Sequence, residues 1–307
     1  MGSPALAIDS SIPEHLRKAV QMLVLDGISS PHTRRAYQQA LTEFLIWFQA
    51  SQRRFDKAAV QSYRAELERK HLAASSINVR MSAIRRLAVE AADDGLIPPE
   101  VASAIERVHG ARRAGVRLGT WLTCKEAEQL LALPDRRTTK GLRDRALLGL
   151  LIGAGLRRSE ASRLAFHQIQ RREGRWVIAD LLGKHNRLRT VPIPDWSKTM
   201  LDEWAGRAGI SDGAVFRGLH KSGPVRRTAL SAQSIFSIVR GYASALGTKL
   251  APHDLRRTWA RLAHKGAAPL EQIQLSLGHA SIVTTELYLG VKQNLSDAPC
   301  DHLGVQP

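Results

Sequence analysis

The stretch PHDLRRTWARLAHKGAAPLEQIQLSLGHASIVTTELY occupies residues 252–288 and shows helical hydrophobic periodicity in three short runs. At its start, His253 and Arg256 lie three residues apart, which places an imidazole and a guanidinium one turn apart on one helix face. Gly278 marks the end of the second run, and His279 follows it directly. Tyr288 closes the third run. The spacing predicts three helices, over about 254–265, 269–277 and 281–288.

The preceding residues change from helical to strand periodicity and back. WVIADLL at 176–182 and RTVPI at 189–193 flank a turn, and together they predict a β-hairpin with Lys184 at its tip. Pro192 confines its strand to an edge or to a strand end, because proline cannot donate to a sheet. Helical patterns lie at 142–151, 195–207 and 231–245. Residues 120–307 are therefore predicted to form a mainly α domain with a small antiparallel β-sheet.

The first 110 residues show helical periodicity only. Ser30 is a typical N-cap and Pro31 a typical first helical residue, and Tyr37, Leu41 and Phe44 follow at the spacing of one buried face. Ser75 or Ser76 is expected to open a second long helix. Shorter helical patterns lie at 12–26, 56–70 and 100–108. We predict an all-α helical bundle over residues 1–110.

The charge is concentrated in the second part of the chain. The formal net charge is +17, yet residues 1–110 contain 14 Lys and Arg against 12 Asp and Glu, whereas residues 111–307 contain 31 against 16. Such an excess favours an anionic polymer as partner, nucleic acid rather than a membrane; a merely basic, soluble surface is the alternative. The stretch 111–119, rich in arginine and glycine, predicts a flexible basic linker that lets two domains close around a duplex; an ordinary surface loop is the alternative.

Composition excludes several classes of protein. No run of 18 apolar residues occurs, and the first ten residues do not look like a signal peptide. Cys124 and Cys300 are too few for a disulfide scaffold or a cysteine-based zinc site, and no acidic metal-binding cluster emerges. We expect no metal and no cofactor, and a reducing, cytoplasmic and nucleoid-associated location.

Cleavage of a phosphodiester without metal makes three chemical demands. A nucleophile attacks phosphorus, cations stabilise the charge on the non-bridging oxygens, and an acid protonates the departing sugar oxygen. Arginine suits the second task because its planar fork binds two phosphate oxygens and stays charged. The chain offers such groups in order: Arg157 in GLRRSE, with Glu160 placed to hold it, then Lys184, His253, Arg256, His279 and Tyr288.

Taken together, these motifs resemble the tyrosine recombinase family, also called the phage integrase family. The matching text is AGLRRSEASRL at 154–164, LGK at 182–184, RTVP at 189–192, PHDLRRT at 252–258, LGHASIVTT at 277–285 and Tyr288. SPHT at 30–33, with the aromatic residues that follow it, is similar to the family's core-binding domain. The resemblance covers residues 30–290 and implies a SAM-like, core-binding helical domain followed by a catalytic domain.

The resemblance also implies a role for each residue. Tyr288 attacks the scissile phosphate and forms a 3′-phosphotyrosyl link, while Arg157 and Arg256 grip that phosphate. Lys184 protonates the leaving 5′ oxygen, His253 acts as acid and base near the nucleophile, and His279 hydrogen-bonds the phosphate. The resemblance further implies strand exchange through a Holliday junction, carried out by a homotetramer on two double-stranded DNA sites. Accessory DNA-bending or directionality proteins are expected as further partners. The expected DNA contacts are Thr33, Arg34, Arg80, Arg85, Arg86, Arg112, Arg113 and Arg257.

This sequence departs from the family pattern in two places. HNRL follows Lys184 where many relatives have a glycine-rich turn with a second lysine, which puts the reach of the hairpin in doubt. Few residues precede Ser30, so we expect a two-domain recombinase without an arm-binding domain. The polar tail, 289–307, is expected to dock on a neighbouring subunit, and a frayed terminus is the alternative.

Two other functions stay open at this point. A type IB topoisomerase has a similar set of tyrosine, arginine, lysine and histidine, and it relaxes supercoils on one duplex. A non-catalytic DNA-binding protein is the second alternative, because 269–288 also resembles a helix-turn-helix. A metal-dependent nuclease is disfavoured.

Overall fold

The computed structural model describes residues 19–112, 119–183, 188–220 and 223–290. The chain divides into two compact units, Met1–Val116 and Arg117–Pro307. Most of the predicted linker, the tip of the predicted hairpin and the tail from residue 291 onward lie outside the described residues. None of the described helices is long and apolar enough to cross a membrane.

The first unit is entirely helical in its described part. Ser30 accepts a hydrogen bond from the Thr33 amide at 3.4 Å and begins the first α-helix, as predicted. Asp56 caps the second helix in the same way through the Ala59 amide. The apolar faces meet in a core that includes Phe44. The elements are a π-helical turn Ala19–Val24, α1 Pro31–Ser51, α2 Lys57–Arg69, α3 Ala74–Asp93 and α4 Pro99–Glu106.

One expectation for this unit is tested only in part, and another was wrong in detail. The pattern at 12–26 is π-helical over Ala19–Val24, and residues 1–18 lie outside the described part. The helix expected to open at Ser75 or Ser76 begins at Ala74, and its N-cap, Ala73, makes no side-chain capping bond. Burial of Ile77 and the apolar residues that follow decides where this helix begins, so no cap is needed.

The second unit is mainly helical with two small antiparallel sheets. Strand order is β1-β2-β3 in one sheet and β4-β5 in the other. The helices are α5 Cys124–Ala132, α6 Thr139–Gly153, α7 Arg158–Arg163, α8 Asp195–Ala208, α9 Ala232–Ala245, α10 Pro252–Lys265, α11 Leu270–Leu277 and α12 Ile282–Leu289. The strands are β1 Ile169–Arg172, β2 Arg175–Leu182, β3 Leu188–Pro192, β4 Arg217–Leu219 and β5 Val225–Ala229.

The predicted hairpin strands correspond to β2 and β3, and Pro192 ends an edge strand. Strand β1 and the pair β4–β5 were not predicted. Their sequences, IQRR, RGL and VRRTA, contain few apolar residues, and most of their side chains are exposed or half-buried. Alternation of apolar and polar residues, the usual sign of a strand, is therefore missing there.

The core of the second unit is built on α6, which is buried along most of its length. Helix α8 packs against α6, and the indole of the buried Trp204 donates to the Val215 carbonyl at 2.9 Å. A smaller cluster joins α10, α11 and α12 through Ala260, Ile273, Leu277 and Leu289. This smaller cluster holds together the two helices that carry His253, Arg256 and Tyr288, and the helix that His279 follows.

Candidate active site

Arg256 is the buried centre of the site. Its guanidinium donates from Nη1 to the Gly155 carbonyl at 2.6 Å and from Nη2 to the Leu277 carbonyl. Burial lowers the pKa of Arg256 to about 9, and the charge of Arg157 adds to this effect. The Arg256 guanidinium therefore remains charged at neutral pH. Its hydrogen-bond partners are uncharged carbonyls, so an anion that reaches it is bound favourably.

Gly155 allows the close approach on which this arrangement depends. It has a φ of +59°, and a Cβ atom there would lie 2.9 Å from the indole of Trp259. Its carbonyl faces Arg256, and Arg157 follows two residues later as the N-cap of α7. The glycine in GLRRSE is therefore required for both its backbone conformation and its small size.

Glu160 is the carboxylate around which the arginines gather, and it is 3% exposed. It accepts from Arg157 Nη1 at 2.7 Å and from the Arg157 amide at 2.8 Å, as the sequence predicted for this pair. Arg189 donates to both carboxylate oxygens, at 3.0 and 2.9 Å. Burial alone would raise the pKa of Glu160, but the hydrogen bonds from Arg189 and Arg157 outweigh it, and the pKa is lowered. With Arg256, which lies 4.0 Å away, three guanidiniums surround this one carboxylate, so the site has an excess of positive charge.

Arg189 is the residue that the sequence reasoning missed. The motif RTVP predicts a strand, and its sequence alone does not indicate a role for the arginine. In the structure its Nε also donates to the Ser276 carbonyl at 2.8 Å, and its side chain packs against Gly278. An arginine in a strand whose side chain is 8% exposed needs a buried acid as partner, and Glu160 is that acid.

Tyr288 lies between two imidazoles. Its ring meets His253 edge-on, with centroids 5.6 Å apart, and His279 edge-on at 5.3 Å. The phenol oxygen lies 3.5 Å from the His253 carbonyl, at the outer limit of a hydrogen bond. His279 Nδ1 lies 3.0 Å from the hydroxyl of the buried Thr285, which orients the imidazole. Helix α12 thus presents the tyrosine beside both histidines.

The pKa shifts in the site keep Tyr288 and the two histidines neutral beside the charged arginines. Burial raises the pKa of Tyr288, and the charges of Arg256 and Arg257 oppose it. Burial, then Arg257 and Arg256, lowers the pKa of His253. Burial and the charges of Arg256 and Arg157 lower the pKa of His279 to about 4. At neutral pH the phenol is protonated, and both imidazoles are neutral and able to accept a proton.

A pocket of about 310 Å³ opens at the edge of the site that Arg157 and His253 form. Arg157 and His253 line it together with Phe236 and the turn at Ala251–Pro252. The structure therefore brings Arg157, His253, Arg256, His279 and Tyr288 together within one unit. Lys184 lies outside the described residues. Among the described residues, no group of three or more His, Cys, Asp or Glu is suited to hold a metal ion.

The residues expected to contact DNA differ in exposure and in whether their side chains already have partners within the protein. Arg80 pairs with Glu43 at 2.6 Å, and Arg85 donates to the Val108 carbonyl. Neighbouring segments of the bundle cover that face of α3 and supply these acceptors, and the DNA contact expected of both residues stays a prediction. Arg34 and Arg86 form exposed ion pairs, Thr33 is half-buried, Arg112 is exposed, and Arg113 lies outside the described residues.

Arg257 was also expected to contact DNA, but its contacts are internal. Nη1 donates to Asp254 at 3.1 Å, and the guanidinium carbon lies 5.2 Å from the centre of the Tyr288 ring.

Comparison with known proteins agrees with this architecture. The model of the phage integrase family matches residues 120–294, and that of the phage integrase N-terminal SAM-like domain matches residues 20–95. Tyrosine recombinase XerC of Xylella fastidiosa strain M23 is 31% identical over 271 residues, which cover 85% of this chain and 86% of the relative. Tyrosine recombinase XerD of Pseudomonas aeruginosa is 28% identical over 284 residues, covering 88% and 91%.

Solved structures share the fold. The XerH site-specific recombinase in a post-cleavage complex with a palindromic difH substrate aligns with a TM-score of 0.67 and 20% identity, over 84% of this chain and 76% of that one. A lambda integrase dimer bound to a COC′ core site aligns with a TM-score of 0.67 and 18% identity, over 92% and 97%. The predicted fold, a helical SAM-like domain before a mainly helical domain with small antiparallel sheets, is confirmed.

The chain belongs to the phage integrase family, the tyrosine recombinases. It is an enzyme of site-specific DNA recombination, which breaks and rejoins DNA strands. These relatives favour recombination over the topoisomerase and the non-catalytic alternatives.

Proposed function

We propose that this recombinase cuts double-stranded DNA at specific sites through a covalent bond between Tyr288 and the 3′ phosphate of the cut strand. The observation that carries the proposal is the position of the Tyr288 ring, edge-on to His253 and to His279. The Coulombic influence of Arg256 and Arg157 reaches the same phenol, which supports a phosphate site next to it.

The residues divide the reaction between them. Tyr288 Oη attacks phosphorus, the new oxygen–phosphorus bond forms, and the bond to the 5′ oxygen breaks. The tyrosine proton passes to His253, whose lowered pKa leaves it neutral and ready to accept. The guanidiniums of Arg157 and Arg256, together with His279, stabilise the charge on the non-bridging oxygens. Because the phosphotyrosyl bond conserves the energy of the cut bond, rejoining needs no nucleotide.

The leaving 5′ oxygen needs an acid, and we assign this role to Lys184. The assignment rests on its place in the LGK motif between β2 and β3, since the residue itself lies outside the described part. General acid catalysis of this kind contributes roughly 10²–10⁴ in rate. Replacement of Lys184 by methionine is therefore expected to lower cleavage by about that factor without preventing DNA binding.

We further propose that four subunits act on two sites and exchange strands through a Holliday junction. The 5′ hydroxyl of one duplex attacks the phosphotyrosine on the other, which reverses the first step. The lambda integrase structure, a dimer on a core site, supports assembly on DNA for the fold. Accessory DNA-bending or directionality proteins are further proposed partners. Deletion of residues 292–307 is expected to leave single-site binding intact and to reduce assembly; unchanged recombination would contradict a docking role of the tail.

Covalent capture in the organism of origin tests the proposal. Cells that express the protein are lysed under denaturing conditions, the protein is trimmed with protease, and the attached DNA is sequenced. Wild type is expected to give adducts at defined sites, also in the presence of EDTA, and Tyr288→Phe none. Tyr37→Phe, a matched change in the first unit, should keep the adducts. Adducts that persist in Tyr288→Phe would show that another residue is the nucleophile.

A further inference from the structure

Arg257 is confined by the structure on three sides. Its guanidinium bonds Asp254, lies over the Tyr288 ring and is only 14% exposed at the side chain. On the third side is Gly119, where a Cβ atom would lie 1.5 Å from Arg257 Nη1 and 2.5 Å from its Cζ. Gly119 does not have a positive φ, so the space that its missing side chain leaves is what the guanidinium uses. A side chain packed in this way is not poised to reach a phosphate.

Arg261, one turn further along α10, repeats the arrangement. Its guanidinium carbon lies 3.6 Å from the centre of the Trp121 ring, a close cation–π contact. Its Nη2 donates to the Leu289 carbonyl at 2.7 Å, and Leu289 is the last residue of α12, the helix that carries Tyr288. Arg261 therefore joins Trp121 to the end of α12.

A backbone contact fixes the same segment between these two arginines. The Leu122 amide donates to the hydroxyl of the buried Thr258 at 2.9 Å, and that hydroxyl donates in turn to the Asp254 carbonyl at 2.9 Å. Residues 119–122, which we call the leading segment, thus run along α10 beside Arg257 and Arg261. The leading segment is the first described part of the second unit.

Helix α12 needs such support because it has only eight residues. An isolated helix of this length is not stable in water, so tertiary contacts decide where it lies. Among the described residues, the side-chain hydrogen bonds that join α12 to other elements are those of Thr285 with His279, of Tyr288 with the His253 carbonyl, and of Arg261 with the Leu289 carbonyl. The second of these is long, which leaves the arginines of α10 as the main polar support on that side.

We infer that Arg257 and Arg261, held in place by the leading segment, are positioning residues for the nucleophile Tyr288 and not DNA contacts. Arg257 sets the position of the phenol ring, and Arg261 holds the end of its helix. The inference rests on the proposed role of Tyr288. It predicts that changes in the leading segment, which contacts Arg257, Arg261 and Thr258, alter the rate of cleavage.

The decisive test separates cleavage from binding. Purified full-length protein is mixed with sheared genomic DNA of the source organism. The rate of covalent adduct formation and the salt dependence of non-covalent binding are measured on this DNA. Arg257→Met is expected to lower the rate roughly 10²-fold, the loss typical of a reacting group misplaced by about 1 Å. Its affinity and salt slope should match the wild type.

Gly119→Ala makes the same test while every arginine is kept. Its Cβ atom displaces the flexible end of Arg257, so the rate of cleavage should fall in the same direction. Gly241→Ala is the matched control, because a Cβ atom there meets nothing within 4 Å. Arg207→Met controls for the loss of one charge elsewhere in the unit. Both controls should keep the wild-type rate.

The pH dependence of cleavage gives a readout that a merely structural role would not move. The groups that face Tyr288 are His253, Asp254, Arg256 and Arg257 of α10, Arg157 at the start of α7, and His279 before α12. The charge of Arg257 lowers the pKa of Tyr288. Loss of this charge in Arg257→Met should move the ionisation of the phenol, and with it the alkaline part of the pH–rate profile, to higher pH. Arg257→Lys keeps the charge, so the alkaline part of its profile should match the wild type although its rate is lower.

Three outcomes would overturn the inference. A salt slope reduced by about 0.9 in Arg257→Met, with cleavage reduced only in proportion to binding, would make Arg257 a phosphate contact. Wild-type rates in both Arg257→Met and Gly119→Ala would exclude any positioning role. Equal pH profiles for Arg257→Met and Arg257→Lys would exclude its action on the phenol. Adducts that survive Tyr288→Phe would instead refute the proposed nucleophile. The Arg257 and Gly119 variants keep Tyr288, so the two failures are distinguishable.

Discussion

Arg189 on β3 donates two parallel hydrogen bonds to Glu160 on α7, at 3.0 and 2.9 Å, and both side chains are almost fully buried. The same carboxylate bonds Arg157, and Arg256 lies 4.0 Å away. Because Arg189 also bonds the Ser276 carbonyl, one acid connects the hairpin, the GLRRSE turn and the end of α11. The phosphate-binding arginines of the proposed site thus depend on a residue that itself does not face the substrate.

Glu160→Gln is expected to destabilise the protein by about 3–5 kcal/mol, because it leaves buried guanidiniums without their carboxylate. Urea unfolding followed by circular dichroism measures the change. Asp202→Asn is the control: Asp202 pairs with Lys198 at 2.6 Å, and its own side chain is 59% exposed. That change should cost no more than about 1 kcal/mol. Equal losses in the two variants would contradict the central role of Glu160.

Gly155→Ala is expected to impair both stability and cleavage. The new Cβ atom would lie 2.9 Å from the Trp259 ring at a φ of +59°, and relief of the clash moves the carbonyl that accepts from Arg256. Gly174→Ala provides a close control, since its φ is +76° and a Cβ atom there meets nothing within 4 Å. The control bears only the backbone strain, about 1 kcal/mol or slightly more. A larger loss in Gly155→Ala, in thermal melting and in adduct rate, would show the steric requirement.

Acid is expected to weaken the fold through His279. Its pKa is about 4 in the folded protein, and an unfolded histidine has a pKa of about 6.5. Between these values the unfolded chain binds more protons, so the free energy of unfolding falls as the pH is lowered from about 6.5 towards 4. A shift of this size corresponds to about 3.4 kcal/mol, and solvent screening at the half-buried ring of His279 reduces it to roughly 2–3 kcal/mol.

His279→Gln removes this titration and should flatten that part of the curve. Chemical unfolding at several pH values measures it, and His264→Gln, a solvent-exposed change on α10, is the control. The lowered pKa of Glu160 adds a separate loss, which begins only below the ordinary pKa of a glutamate. Parallel curves for wild type and His279→Gln would show that His279 is not the group that titrates.

DNA binding is expected to depend strongly on salt. Residues 111–307 hold 31 Lys and Arg against 16 Asp and Glu, which is sufficient for several phosphate contacts. If about six phosphates are neutralised by each subunit, log K should fall with log salt at a slope near −5. Fluorescence anisotropy over a range of salt concentrations measures the slope. A slope near zero would contradict an electrostatic contribution to binding.

Much of this molecule was predictable because its patterns are local. Helical periodicity, the Ser30 cap and the strand pattern around Pro192 depend on neighbours a few residues apart, and these elements formed as expected. The strands IQRR and VRRTA were missed because pairing partners, and not their own apolar residues, make them strands. The internal partners of Arg80 and Arg85 were not predictable for a similar reason, since their acceptors lie 37 and 23 residues away in the chain.

The sequence by itself determined the class of protein and the residues proposed for its site, because the order of arginine, lysine, histidine and tyrosine motifs is a property of the chain alone. Only the tertiary structure decided how those groups are supported. Arg189 meets Glu160 across 29 positions, and Arg257 lies between Tyr288 and Gly119. The physical reason is that a buried guanidinium needs partners on several sides. Those partners come from elements that are distant in sequence and become neighbours only when the helices pack.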